Sequence, residues 1–520
     1  MTRKSEAHTE IEVKFDVGMD TPVPDLAGAP SVTAASAPEL THPVSTYFDT
    51  ADLALARARI TLRRRTGSAD AGWHVKLPVS SDERVEVRSP LSAGGNSTRV
   101  PDEVALVVRA HTRGRPLVPV ASIETRRVIT TVSTAKADRA AELCDDTVTA
   151  RNLLDDITVR WREWELELVD GPRSTLRDLG TFLLDHGAKP GSSPSKLARA
   201  LGSRLDAARE TTSPQPDGTA GSALRVALAA DVSALVAADP RVRRNEDDSV
   251  HAMRVATRRL RSVLRSYRAL LDRAEVDAVR SELSWLAGIL GTARDAEVLA
   301  ERYRDALAAL PADAVRGDVA DSLIGTQERL YSLAHAEVVR ELDGERYFAL
   351  LDALEALLAS SATGKKAGKP AARVFDRVLR AQYARVDEAH RRALALRDRG
   401  AEDEHEDAMH DVRKLAKKLR YAAEAAGVVD SPKRFARTAA RTAKSAKKVQ
   451  SVLGDHQDSA VARRTLLVEA DSAHARGADT FTHGVLYAAE VRAGAEALEP
   501  FPSAWKTLRR TADRAGWTAD

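Results

Sequence analysis

Residues 9–17 read TEIEVKFDV, with Glu10, Glu12 and Lys14 alternating strictly with Ile11, Val13 and Phe15. A period of two over this length predicts a β-strand with one apolar face and one charged face. The same division recurs in ITLRRR (60–65), with Arg63 and Arg65 opposite Leu62 and Arg64, and in GWHVKL (72–77), where His74 and Lys76 are in phase. RVEVR (84–88) sets Arg84, Glu86 and Arg88 against Val85 and Val87, and WREWELELVDG (161–171) sets Glu163, Glu165 and Glu167 against Trp164, Leu166 and Leu168. Spaced by Gly, Pro and Ser, these runs predict an antiparallel sheet or barrel.

For any one strand, a solvated side is the simpler explanation of the charges. Repetition weakens it: acidic pairs open and close the region, and basic residues fill its middle strands. A sheet closed with this face inward has a polar lumen, in which charges must be paired or hold a ligand. A polyanion with its divalent metal satisfies both signs, carboxylates binding the metal and Arg and Lys the phosphoryl oxygens.

The 520 residues are enough for two cores, and 43% hydrophobic with 30% charged residues fits a soluble globular protein. The sequence predicts no run approaching a membrane span and no N-terminal secretory segment. A lone cysteine, Cys144, excludes an internal disulfide framework and a Cys-based zinc site and suits a reducing cytoplasm. Without an activating neighbour, and with Asp145 opposing a thiolate, Cys144 reads as structural. With 79 Lys and Arg against 76 Asp and Glu, net charge decides nothing; its distribution does. ETTSPQPDGTAG (210–221) reads as a linker, and SSATGKKAGKP (360–370) interrupts a region otherwise patterned as helices.

The E-x-E-x-K of Glu10, Glu12 and Lys14 resembles the signature of the CYTH superfamily, the triphosphate tunnel metalloenzymes. Further matches follow in the family's order: YFDT (47–50), LRRR (62–65), VKL around Lys76, RVEVR around Glu86, Arg126–Arg127, Asp145–Asp146, ELE (165–167) and Ser195–Lys196. The resemblance implies an eight-stranded antiparallel tunnel that hydrolyses or rearranges triphosphates with Mg²⁺ or Mn²⁺. Carried over by position, Glu10, Glu12, Glu165 and Glu167 hold metal, helped by the Asp145/Asp146 pair; the metal set adopted is Glu10, Glu12, Asp145, Glu165 and Glu167. Lys14, Arg63, Arg65, Lys76, Arg126 or Arg127, and Lys196 clamp phosphates. Glu10, Glu12, Lys14, Lys76 and Lys196 form the catalytic group. Which of Arg126 and Arg127, and which of Asp145 and Asp146, faces inward is open at this point.

The second half carries a repeated pattern. VHAMRVATRRLRSVL from Val250 and MHDVRKLAKKLRYAA from Met409 share H-x-x-R-x-x-x-(R/K)-(R/K)-L-R, and LAGILGTARDAEVL (286–299) matches VQSVLGDHQDSAVA (449–462). Two matched pairs at nearly equal offsets predict an internal duplication. His251, Arg254, Arg258, Arg261 and Arg265 fall on one helical stripe; His410, Arg413, Lys417 and Arg420 repeat it, and Arg437, Arg441, Lys444 and Lys448 form a third. Solvated helices usually mix signs at i,i+4, so stripes of one sign predict a bound anion.

These motifs resemble the CHAD domain, a histidine-containing α-helical module often fused to CYTH. The resemblance implies two pseudo-symmetric helical halves binding inorganic polyphosphate along the three stripes. Histidines on Arg-rich helices without carboxylate partners in phase make a poor metal site, and read as phosphate donors or packing groups. Few aromatics and no recognisable motif speak against nucleic acid.

The expectation is thus a multidomain chain: an eight-stranded antiparallel β tunnel with helices over 1–206, a linker at 207–221, and an all-α duplicated bundle over 222–520, with pseudo-repeats at about 222–360 and 371–520. Its function is metal-dependent hydrolysis of tripolyphosphate or another short-chain triphosphate, with polyphosphate bound by the helices. The expected location is the cytoplasm, at polyphosphate granules. An adenylate cyclase acting on ATP in the same tunnel, and a polyphosphate-binding protein without catalysis, are the alternatives.

Overall fold

A computed structural model describes residues 7–78, 83–91, 99–209, 217–360, 364–427 and 433–518. The chain forms two compact units, Met1–Thr212 and Ser213–Asp520.

In the first unit the strands are β1 (Ala7–Val17), β2 (Val32–Ala35), β3 (Glu39–Thr41), β4 (Val44–Asp49), β5 (Thr61–Thr66), β6 (Gly72–Pro78), β7 (Glu83–Pro90), β8 (Val118–Thr134), β9 (Ala137–Asn152), β10 (Ile157–Leu168) and β11 (Lys189–Pro190). The helices are α1 (Ala54–Arg57), α2 (Asp102–Thr112), α3 (Arg173–Asp185), α4 (Lys196–Leu201) and α5 (Ser203–Arg209). Eight strands run in the order β10-β9-β8-β4-β5-β6-β7-β1, and antiparallel pairing of β1 with β10 closes the ring. Strands β2 and β3 add to β8, and β11 adds to β1.

The apolar face of this sheet points outward and is covered. Leu176, Leu179 and Leu183 of α3 pack on Phe15, Leu143, Trp164 and Leu166. Val104, Val107 and Val108 of α2 pack on Phe48, Leu62, Trp73 and Val75. This outer covering supplies the hydrophobic stabilisation and leaves the charged face to line the lumen. At one end the lumen is apolar instead: Tyr47, Ile123, Val148, Ala150 and Trp161 pack with Leu197, Ala200 and Leu201 of α4.

The second unit contains α6 (Ala220–Arg243), α7 (Ser249–Ser266), α8 (Arg273–Ala308), α9 (Thr326–Leu342), α10 (Glu345–Ala359), α11 (Ala371–Asp398), α12 (Glu402–Gly427), α13 (Lys433–Ala475), α14 (Phe481–Leu498) and α15 (Phe501–Ala515). Two expectations change here. The end of the expected linker is already helical, because the Thr219 hydroxyl caps α6 by accepting from the Ser222 amide at 3.3 Å; residues 210–216 lie outside the described residues. Helix α6 is also long and apolar enough to cross a membrane by composition, although 56% of its most apolar window is buried within the protein, as in a core helix.

Candidate active site

Register places the lumen residues. In β1–β10, Lys14 lies opposite Glu165, Glu12 opposite Glu167 and Asp16 opposite Glu163. In β9, Asp146 lies opposite Glu163 on one side and Arg127 on the other. Across the ring, Arg63 lies between Tyr47 and His74, and Lys76 lies opposite Glu86.

Asp146, Glu163 and Glu165 are buried, each with a carboxylate oxygen within 4.8 Å of the others'. The Lys196 ammonium lies among them, 2.8 Å from Asp146, 2.7 Å from Glu163 and 2.7 Å from Glu165. Local backbone explains its delivery. Ser195 caps α4 by accepting from the Ala198 amide at 3.1 Å, which sets Lys196 at the first helical position. The preceding segment crosses close over β1, and a Cβ on Gly191 would lie 2.9 Å from the Lys14 carbonyl oxygen. The sequence pair Ser195–Lys196 is therefore a cap followed by the cation it positions.

Around this centre Arg127 binds Asp146 at 2.6 Å and Glu165 at 2.5 Å. Lys14 binds Glu165 and, at 3.1 Å, Glu12. Arg84 approaches Glu12 at 3.8 Å. On the basic side Arg63 lies 3.7 Å from the buried Glu86, which also takes Arg88 and His74, the latter at 2.9 Å. Arg65 binds Asp70 at 2.6 Å. The Tyr47 hydroxyl bonds to Arg63. Arg63 Nε is buried without a hydrogen-bond partner, a donor placed where an anion's oxygen would satisfy it.

The electrostatics follow from this packing. Burial pushes the carboxyls of Glu12, Asp146 and Glu165 up, but the neighbouring cations outweigh it: Lys14 and Lys76 bring Glu12 down to about 2, Lys196 and Arg127 lower Asp146, and Lys14, Lys196 and Arg127 lower Glu165 well below its ordinary value. Against the same burial, Asp146 and Glu165 raise Lys196. Burial raises the Tyr47 phenol less than Arg63 and Arg65 lower it. Burial pushes the Cys144 thiol up to about 12, which keeps it protonated and inert, as expected of a structural cysteine.

One consequence is testable on the protein as it stands. The folded state holds these carboxyls below their unfolded values, so it binds fewer protons across acidic pH, and their contribution is complete above about pH 4.5. It is lost as pH falls from there toward 2, on the order of a few kcal/mol. Thermal melts from pH 7 to pH 3 should show the first unit's melting temperature falling steeply below pH 4.5; a flat profile would contradict the ion network.

The donor set suits a hard divalent cation: carboxylate oxygens converge on one point, with Glu12 nearby through Lys14. Asp146, Glu163 and Glu165 would hold it, in the space that the Lys196 ammonium now fills.

Comparison with known proteins places both halves of the chain in known domain families. A CYTH domain model matches residues 8–201 and a CHAD domain model residues 226–467. The uncharacterized protein Rv2226 of Mycobacterium tuberculosis H37Rv is 39% identical over 522 residues, covering 98% of both chains. The chain belongs to the CYTH–CHAD family. Among solved structures, the CHAD domain of Ricinus communis covers 58% of this chain and 95% of its own at 20% identity, TM-score 0.45. HpAC1 from Hippeastrum, described as having a dominant triphosphatase activity, covers 36% and 93% at 19% identity, TM-score 0.24.

In the CYTH tunnel, the structure resolves the open choices and corrects one. Arg127 faces the lumen, whereas Arg126 is exposed on the outer face. Asp145, expected among the metal ligands, points outward: its carboxylate binds Arg162 at 2.7 Å and accepts from the Trp164 indole at 3.1 Å. Asp146 instead faces the lumen, where Arg127 and Lys196 hold its carboxylate. Glu163 was in phase with Glu165 yet left out of the ligand set, and it completes the triangle. Glu12 and Glu165 are brought together through Lys14, and Glu167 lies opposite Glu12. Glu10 lies opposite Arg84 in β1–β7, and its side chain falls outside the described residues. Arg84, on the charged face of β7, reaches Glu12, and Tyr47 also reaches the lumen; the phase of β4 could have found Tyr47. Asp49 of YFDT is structural, accepting from the amides of Thr50, Leu55 and Ala56 at 2.7–2.8 Å.

In the CHAD unit, the α7 and α12 stripes converge. Lys417 is surrounded by Arg258, Arg413, Arg254 and Arg261, and burial together with these cations brings it down to about 7. The pattern occurs twice: Arg254 passes Gly291 and binds Asp295 at 2.8 Å, and Arg413 passes Gly454 and approaches Asp458 at 3.9 Å. In both copies the guanidinium lies against the glycine, where a Cβ would stand 3.5–3.7 Å from its nearest atom, an ordinary contact. Burial and nearby cations lower His251 and His410, so both are neutral near pH 7. Arg420 is taken up by Glu424 at 2.7 Å and Gln450 at 3.2 Å, and Arg261 donates to Ser284 at 3.0 Å. Arg265, Lys444 and Lys448 are exposed. Arg437 and Arg441 do not join the α7–α12 cluster; they line a separate cleft against α15.

Proposed function

We propose that the CYTH tunnel hydrolyses tripolyphosphate or another short-chain triphosphate with Mg²⁺ or Mn²⁺, and that the CHAD helices hold inorganic polyphosphate. The observation carrying this reading is the shared lumen: a carboxylate triangle (Asp146, Glu163, Glu165) faces a bank of cations that includes Arg63, whose buried Nε has no partner. Phosphoryl transfer needs mainly positioning and neutralisation of oxygen charge, and this lumen supplies both. A divalent ion, when bound, neutralises phosphoryl oxygens and acidifies water. Arg63, Arg65, Arg127 and Lys76 grip the phosphate chain, and Arg forks do so bidentately. Lys14 holds Glu12 and Glu165 in place. With a divalent ion held by Asp146, Glu163 and Glu165, the Lys196 ammonium would be released to bond phosphoryl oxygens. Water attacks the terminal phosphorus, giving orthophosphate and pyrophosphate from tripolyphosphate.

Product analysis separates hydrolysis from cyclisation. With saturating ATP and Mn²⁺, no cyclic nucleotide should form, and tripolyphosphate should be the better substrate; cyclic AMP as the main product would establish the cyclase alternative instead.

Polyphosphate binding by the CHAD unit should depend on pH through Lys417. A bound polyanion favours the protonated ammonium, so affinity should rise as pH falls from 8.5 to 6.5, by about tenfold. Lys417→Arg keeps the charge at every pH and should flatten that profile. A slope unchanged in Lys417→Arg, measured by titration calorimetry, would remove Lys417 from the binding track. Binding should also weaken with salt, by analogy with nucleic-acid phosphates.

A further inference from the structure

Trp161 stands two residues before Glu163 in β10, so the strand period puts its side chain on the same inward face. Its ring is buried in the apolar end of the lumen, packed with Leu197, Ala200 and Leu201 of α4. A buried indole N–H needs an acceptor, and this one donates to Glu163 Oε2 at 2.5 Å. The other oxygen, Oε1, lies 2.7 Å from the Lys196 ammonium, yet it is buried without a hydrogen-bond partner among the described residues. The two oxygens of this one carboxylate are therefore unequal. Oε2 is taken by the indole, and Oε1 is an unsatisfied acceptor beside the ammonium that Asp146 and Glu165 also hold.

The indole is pinned in this position. Arg199 lies over its ring, 4.9 Å from the centroid, and binds Asp16 at 2.6 Å. Asp16 in turn accepts from the Ser192 amide at 2.9 Å. Helix α4 thus secures both ends of the link, with Lys196 at Oε1 of Glu163 and Arg199 on the Trp161 ring.

Metal chemistry gives the inequality a consequence. Ca²⁺ is large, takes about six to eight oxygens in flexible geometry, and readily accepts both oxygens of one carboxylate. Mg²⁺ demands a near-ideal octahedron, into which the narrow bite of a two-oxygen carboxylate fits poorly, and Mn²⁺ shares the octahedral preference. A glutamate with one oxygen already engaged by a fixed donor can offer a metal only the other. We propose that Trp161 is a positioning residue that confines Glu163 to one-oxygen coordination and thereby sets the tunnel's preference for Mg²⁺ or Mn²⁺ over Ca²⁺. The inference rests on the reading of Asp146, Glu163 and Glu165 as the metal site, and adds to it what selects among metals.

Mn²⁺ binding to the metal-free intact chain without substrate, read by electron paramagnetic resonance, and its displacement by Ca²⁺ give the ratio of the two dissociation constants. Trp161→Phe keeps an aromatic ring in the apolar end and removes only the donor, so the ratio should move about tenfold toward Ca²⁺. Ca²⁺ should also inhibit Mg²⁺-dependent turnover of tripolyphosphate more strongly in that variant. Trp164→Phe removes an indole bond to the outward Asp145 and should leave the ratio where it is. An indole with a merely structural role would lower the melting temperature and leave the ratio unchanged. The wild-type protein gives a second reading through ¹⁵N-labelled tryptophan. The indole N–H that Mn²⁺ broadens most steeply should stay far downfield, still hydrogen-bonded, when Mg²⁺ is bound. Return of that resonance to an ordinary position with Mg²⁺, or an unchanged ratio in folded Trp161→Phe, would overturn the role of Trp161 while the metal site stands. Absence of any Mn²⁺ binding that Glu165→Gln weakens would overturn the metal site and this inference together.

Discussion

Glu165→Gln is expected to lower metal-dependent tripolyphosphate turnover about 10³-fold while the protein stays folded. Glu165 is the carboxylate that Lys14, Arg127 and Lys196 share, and one of the three whose oxygens converge. The amide keeps the shape and accepts hydrogen bonds, but it loses the charge that a divalent ion and the three cations need. Mn²⁺ affinity, read by electron paramagnetic resonance, should fall together with turnover. Removing one member of a buried ion network costs about 3–5 kcal/mol when nothing replaces it; the isosteric amide should limit the loss, and a melting curve measures it. Full turnover in a folded Glu165→Gln protein would remove the carboxylate triangle from the chemistry.

Lys196→Gln is expected to move binding and catalysis in opposite directions. Its ammonium lies within 2.8 Å of all three carboxylates and so competes with any metal for them. Without it, Mn²⁺ affinity in the absence of substrate should rise about tenfold, because like charges in one site disfavour each other. Turnover should fall about 10²-fold, because the transition state loses a cation. A merely structural lysine would lower both together. Unchanged or weaker Mn²⁺ binding in a folded Lys196→Gln protein would show that the ammonium does not share the metal's place.

The barrel was legible because strand phase is a strong constraint: one residue of slip would turn Glu12 and Lys14 of β1, Arg63 and Arg65 of β5, and Glu163 and Glu165 of β10 to the outer face. Within well-phased runs, Lys14, Arg63, Arg65, Lys76 and Glu165 fall in register on the charged face that the alternation assigns. Phase fails where both neighbours are charged. Asp145 and Asp146 look alike in sequence, and only their partners separate them: Arg162 and Trp164 draw Asp145 outward, while Arg127 and Lys196 hold Asp146 inside. Glu163 was visible by the same alternation but was passed over because no motif named it. The role of Lys196 as a cation within the carboxylates was not readable, because it depends on a segment that crosses β1 more than 170 residues later in the chain. In the helical unit the period of 3.6 found the stripes but not their neighbours. Arg258 and Lys417 come together only through the packing of α7 on α12, and Arg437 and Arg441 turn away to α15.

The central claim is that this lumen is a metal-dependent triphosphate hydrolase. Phosphorus NMR of the intact chain with tripolyphosphate, as Mg²⁺ or Mn²⁺ is added to metal-free protein, tests it most directly. The expected result is no turnover in EDTA, and with metal one orthophosphate and one pyrophosphate for each tripolyphosphate consumed. Tripolyphosphate left intact by folded protein at saturating metal, or cleaved equally fast in EDTA, would contradict it.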